Sequence, residues 1–140
     1  MSRVFWETNL FIYLFEGTGE PAKQVLRLRR AMLERGDQLL TSTLTLGEVL
    51  VKPVERQDDE LRRKYEQAIT ASAQVIPFDV KAAELYARLR SDRSLRPPDA
   101  IQLACAASVG VDLFITNDSH LRSKQVPGIQ FIVSLDRAPL

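Results

Sequence analysis

One cysteine and one histidine are all that the 140 residues hold of these two types. A lone thiol forms no internal disulfide, and a lone histidine without paired cysteines builds no zinc set, so a disulfide framework and a zinc site are both excluded. An excess of either charge is also missing. With 19 basic and 18 acidic residues the net charge is +1, so total charge does not mark a nucleic-acid binder or a membrane-surface protein. Any such partner must be read locally. The most apolar run, VFWETNLFIYLF from Val4, is broken by Glu7 and Asn9 and is too short to span a bilayer. Repeats, low-complexity tracts and Gly/Ser-rich linkers are absent too. The expectation is one domain over residues 1–140, soluble and cytoplasmic.

What is present is alternation. Val4 to Trp6, Leu39 to Ser42, Val75 to Phe78, Leu113 to Thr116 and Ile129 to Val133 are short runs, mostly rich in β-branched or aromatic residues, and predict five strands. Between them, Val25, Leu28 and Met32 keep helical spacing, as do Leu61, Tyr65 and Ile69, and then Ala82, Leu85, Tyr86 and Leu89. Pro21 and Pro98 fall where a first helical turn starts. Strands alternating with helices predict an α/β fold, three layers with a mainly parallel five-stranded sheet. Cys105, on an Ala-rich helix, reads as a small core residue, and His120 as a surface residue that binds no metal.

In such sheets ligands bind beyond the carboxyl ends of the strands. Four acids meet that condition: Glu7 after the first strand, Glu48 in the helix entered from the second, Asp99 opening the helix before the fourth, and Asp118 after the fourth. Each has a structural explanation by itself, since a helix N-terminus favours a carboxylate, and Thr45 with Glu48 matches a capping box. As a group they need compensation, because two carboxylates about 4 Å apart repel by about 4 kcal/mol at an effective dielectric near 20. Arg96 is the one cation close in sequence to this set, and protein cations are not expected to balance it. A hard divalent ion, Mg2+ or Mn2+, held by all-oxygen donors would do so.

These segments resemble the PIN-domain family, and in particular the short bacterial VapC-type ribonuclease toxins, over essentially the whole chain. The likeness is carried by VFWETNLFIYLF at the first strand, TLTLGEVL after the second, PPDAIQLACA at a helix start, ITNDSHL after the fourth strand, and the closing VPGIQFI. The resemblance implies hydrolysis of single-stranded RNA by an acidic set of Glu7, Glu48, Asp99 and Asp118. Glu7, Asp99 and Asp118 would be the metal ligands, and Asn9 and Thr116 would support them. Arg96, Arg122 and Lys124 are the candidate substrate contacts, with Trp6, Phe15 and Phe78 expected in the core. It also implies a small antitoxin partner and a homodimer, with apolar positions on the helices after Glu20 and Asp58 as candidate surfaces.

The chain departs from the family at its first acid, where aspartate is usual and Glu7 stands. One extra bond moves the carboxylate by ~1.5 Å, which predicts slow turnover. The alternative is a PIN-like module that binds RNA or a partner with little catalysis. A receiver-like signalling domain is disfavoured, since Glu7 is followed by Thr8 rather than by a second acid.

Overall fold

The computed structural model describes residues 1–139. Its first half runs β1 (Arg3–Trp6), α1 (Thr8–Glu16), α2 (Glu20–Arg35), β2 (Gln38–Ser42), α3 (Thr43–Val49), α4 (Val51–Glu55), α5 (Asp59–Ser72) and β3 (Gln74–Ile76). The second half runs α6 (Val80–Leu89), α7 (Pro97–Val109), β4 (Val111–Thr116) and β5 (Ile129–Ser134), with short 3-10 turns at Leu121–Ser123 and Leu135–Arg137. The strands form one sheet in the order β3-β2-β1-β4-β5, and every neighbouring pair is parallel. The α/β expectation holds, with all pairs parallel.

Strand alternation divides the core between the two faces of the sheet. Val4 and Trp6 of β1, Leu39 of β2 and Ile115 of β4 pack with Leu10 and Phe11 of α1 and Val25, Leu28 and Met32 of α2. Phe5, Leu40 and Phe114, the residues between, face Ala82 of α6 and Leu103, Cys105 and Ala106 of α7. Phe5 and Phe114 stack across the β1–β4 pair with ring centroids 5.1 Å apart. Helices on both faces complete the three layers.

Local chemistry fixes the element ends. Asp58 and Asp79 cap α5 and α6 by accepting the N–H groups of Leu61 and Ala82. Pro21 and Pro98 stand in the first turns of α2 and α7 as expected. The third strand stops at Ile76 rather than Phe78, because Pro77 offers no N–H to the ladder. Gly128 enters β5 at φ 99°, and a Cβ there would lie 2.6 Å from the Ala107 carbonyl oxygen of α7. Only glycine fits that approach.

The expected capping box is not formed. The chain turns into α3 directly from the last residue of β2, so Ser42 is the cap and its Oγ accepts the Thr45 N–H at 3.2 Å. Thr45 and Glu48 are thereby freed for side-chain contacts. Strand order reverses at β1, with β2 and β3 on one side and β4 and β5 on the other. The crevice past the ends of β1 and β4 is where such a sheet offers a ligand site.

Candidate active site

Glu7 is the first residue past β1, and it points into that crevice from an 8% exposed position. Thr116 Oγ1 donates to its Oε2 at 3.0 Å, while the Asn117 N–H and the Asn9 amide donate to Oε1 at 3.1 and 3.4 Å. Both oxygens are therefore engaged. Burial raises the Glu7 pKa above its ordinary value, against the pull of the Asn117 and Thr116 hydrogen bonds, and the negative charge of Asp99 adds to the rise. Thr116 Oγ1 also accepts the Asp118 N–H at 3.0 Å, so one hydroxyl ties the first acid to the backbone of the fourth.

A cleft of about 500 Å³ opens here, lined by Glu7, Asn9, Glu48, Arg96 and Asp99 on its polar side. Ile12, Phe15, Val51 and Tyr65 line its apolar side, with Phe15 and Tyr65 stacked at 4.8 Å. Three of the four expected acids thus meet in one cleft. The fourth, Asp118, is joined to it through Arg96, whose guanidinium lies 3.3 Å from Asp99 by Nε and 3.5 Å from Asp118 by Nη2. This corrects the expectation that no protein cation balances the acids. Arg96 precedes α7 as its N-cap residue, and its arm folds back across the helix mouth, a contact invisible to a count of charges along the chain.

On the other wall, Thr8 Oγ1 donates to Glu48 Oε1 at 2.6 Å. Beneath them Gln102, one turn after Asp99 on α7, reaches Thr8, Thr45 and Ser42. Neither Thr8 nor Gln102 stands among the residues singled out from sequence. Of the other expected contacts, Lys124 is tied to Asp92 at 2.7 Å and to Ser94 at 2.7 Å. Together with Arg122 it lines a separate hollow beside β5, away from the cleft. Trp6 is buried as expected, Phe15 is half-buried in the cleft wall, and Phe78 is 42% exposed. His120 is exposed and Cys105 buried, with burial pushing the thiol pKa up to about 11.

The donors offered to a cation are carboxylate, hydroxyl and amide oxygens, a set that suits Mg2+ or Mn2+. Among the described residues no three acidic, histidine or cysteine side chains stand close enough together to enclose an ion. Arg96 spans the gap between Asp99 and Asp118, and its side chain is 75% exposed. The donor chemistry, all oxygen, suits a hard cation. Also among the described residues, no helix is long and apolar enough to cross a membrane.

Comparison with known proteins agrees with this fold. A family model described as PIN domain matches residues 4–126. No curated protein matches the chain. Among solved structures, VapBC2 from Rickettsia felis bound to a promoter DNA fragment aligns with TM-score 0.73 and 14% identity, covering 94% of this chain and 97% of that one. DNA-bound VapBC from Salmonella typhimurium aligns with TM-score 0.70 and 20% identity, covering 96% and 99%. A toxin–antitoxin complex from Klebsiella pneumoniae gives TM-score 0.65 and 24% identity, covering 90% and 94%. At these identities the likeness is one of fold.

Proposed function

This chain belongs to the PIN domain family, and from that premise we propose that it is a Mg2+- or Mn2+-dependent endoribonuclease cutting single-stranded RNA, the toxin of a type II toxin–antitoxin pair. The observation that carries the reading is the convergence of Glu7, Glu48 and Asp99 on one cleft, with Asp118 joined to them through Arg96. As a nuclease the chain acts as a single PIN-like domain over residues 1–140. An antitoxin partner, a cytoplasmic location and a homodimer belong to the same proposal. Leu26 and Leu33, 49% and 61% exposed on α2, are apolar surface available to a second copy. The helix after Asp58 carries none of the large exposed apolar side chains.

In this reading Glu7, Asp99 and Asp118 would hold the ion, which when bound would supply positive charge to the phosphate and make water a better nucleophile near neutral pH. The chain does the rest. Glu48, held through Oε1 by Thr8, keeps Oε2 for the proton released as water attacks phosphorus. Arg96, leaving Asp99 and Asp118, turns its guanidinium toward a phosphate oxygen. Thr116 holds Glu7 and the Asp118 backbone in one register, and Asn9 keeps Glu7 from turning.

A second reading, a module that binds RNA or a partner with little turnover, is favoured by one observation. Glu7 stands where the family has aspartate, and both its oxygens already accept hydrogen bonds. Incubating the protein with labelled single-stranded RNA and Mn2+, then adding EDTA, separates the two. EDTA-sensitive cleavage is expected; binding without cleavage favours the second reading, and cleavage indifferent to EDTA removes the metal mechanism.

A further inference from the structure

Gln102 sits at a 5% exposed position on α7, three residues beyond Asp99, on a buried face whose one other polar side chain, Ser108, bonds within its own helix. A buried amide must satisfy two donors and an acceptor, and here the surroundings do so with side chains from three other elements. Its Nε2 donates to Thr45 Oγ1 at 2.8 Å and to Thr8 Oγ1 at 3.1 Å, and its Oε1 accepts from Ser42 Oγ at 2.6 Å.

The direction of every bond in this cluster follows from one end. Thr8 has a single hydroxyl proton, and the carboxylate of Glu48, 2.6 Å away, can only accept it. Whatever else touches Thr8 Oγ1 must donate. The amide therefore turns its NH2 toward Thr8, and the Thr45 hydroxyl, 3.2 Å from Thr8 Oγ1, also points its proton there. With one proton given and both lone pairs filled, Thr8 has no second orientation.

We propose that Gln102 is the positioning residue for Glu48: by saturating Thr8 it makes that hydroxyl a one-way donor, and so fixes the carboxylate opposite Asp99 on the other wall of the cleft. Because Asp99 and Gln102 share one face of α7, the same helix sets both walls. This role rests on the proposed nuclease reading for its purpose, but its geometry can be tested without RNA.

The experiment compares the whole chain with Gln102→Met, Thr8→Val and the double variant. It measures Mn2+ binding by calorimetry and the position of Glu48 in crystal structures. Gln102→Met is expected to release Glu48 from Thr8 and, because Glu48 stands beside the proposed ion as a nearby negative charge and not as a ligand, to weaken Mn2+ binding a few-fold. Thr8→Val is expected to match it, and the double variant to be no worse than Thr8→Val alone. If Gln102→Met does not fold, Thr8→Val reports on the same chain of bonds from its far end. Glu48 still bonded to Thr8 at unchanged Mn2+ affinity in Gln102→Met, or additive losses in the double variant, would overturn the proposal. Should the unaltered protein bind no Mn2+, the nuclease reading fails, and the position of Glu48 in the variants still decides the role of Gln102.

Discussion

Glu7 and Asp99 line the same cleft and are held there by opposite means. Glu7 is 8% exposed, and its three partners are uncharged donors fixed by β4 and α1. The Asp99 side chain is 18% exposed, and its partner is an arginine 75% exposed. A hydrogen bond to a charged group contributes about 1.5–3 kcal/mol and is lost only with the fold around it. An exposed ion pair contributes about 0.2–1 kcal/mol and is exchanged easily. One carboxylate is thus part of the scaffold, and the other is free to change its counter-charge.

The comparison breaks most visibly if the adjustable acid is neutralised. Asp99→Asn removes a proposed ligand but no buried bond, so RNA cleavage should fall by about a hundredfold or more while the melting temperature stays close to that of the unaltered chain. A gel assay with Mn2+ and a thermal melt read the two separately. A variant that melts early would mean Asp99 is scaffold too.

Shortening the scaffold acid comes next. Glu7→Asp draws the carboxylate back by ~1.5 Å, to the length expected of the first acid in the proposed reading and away from Thr116 and the Asn117 N–H. Cleavage is expected to rise by roughly tenfold, within the range that a misplacement near 1 Å costs. Stability should fall, because the buried bonds lengthen. An unchanged rate in this variant would show that the extra carbon does not limit turnover.

How much of this was legible in sequence depends on where the partner comes from. Strands, their parallel pairing and the four acids announce themselves through local signals: alternation, proline at helix starts, acids at strand ends. The Arg96 bridge is three residues from Asp99, yet a charge count missed it, since whether an arm folds back across a helix mouth is a rotamer choice rather than a pattern. Gln102 left no signal. Its partners Ser42, Thr45 and Thr8 are brought in by β2, α3 and α1, and a glutamine in an apolar helix looks like a tolerated surface residue until the sheet closes around it. The capping-box spacing of Thr45 and Glu48 is a false match, because the chain enters α3 directly from β2 and the cap is Ser42, three residues before Thr45.

Arg96 offers a smaller perturbation. If it stands in for an ion between Asp99 and Asp118, Arg96→Ala removes two exposed pairs that compete with the cation. Together these are worth at most about 1–2 kcal/mol, so Mn2+ binding by calorimetry should tighten a few-fold, while KM for RNA rises as a phosphate contact is lost. Weaker Mn2+ binding in this variant would mean that the arginine helps to shape the site and does not compete for it.

The faintest consequence is a slope in stability against pH that belongs to Glu7. Burial raises its folded-state pKa above the ordinary 4.5, so the folded chain holds this proton more tightly than the unfolded chain does. Stability is therefore full below the unfolded value, falls as pH rises from there through the folded value, and keeps that deficit at neutral pH. Glu7→Gln has no proton to lose, and subtracting its denaturation free energy from that of the unaltered chain at each pH isolates the contribution. The difference should decline with rising pH and then level off, and saturating Mn2+ should reduce the deficit at neutral pH by supplying the positive charge that burial withholds. A difference that climbs with pH would mean that the donors Asn117 and Thr116 outweigh desolvation, and that the scaffold acid is held as a contented anion before any ion arrives.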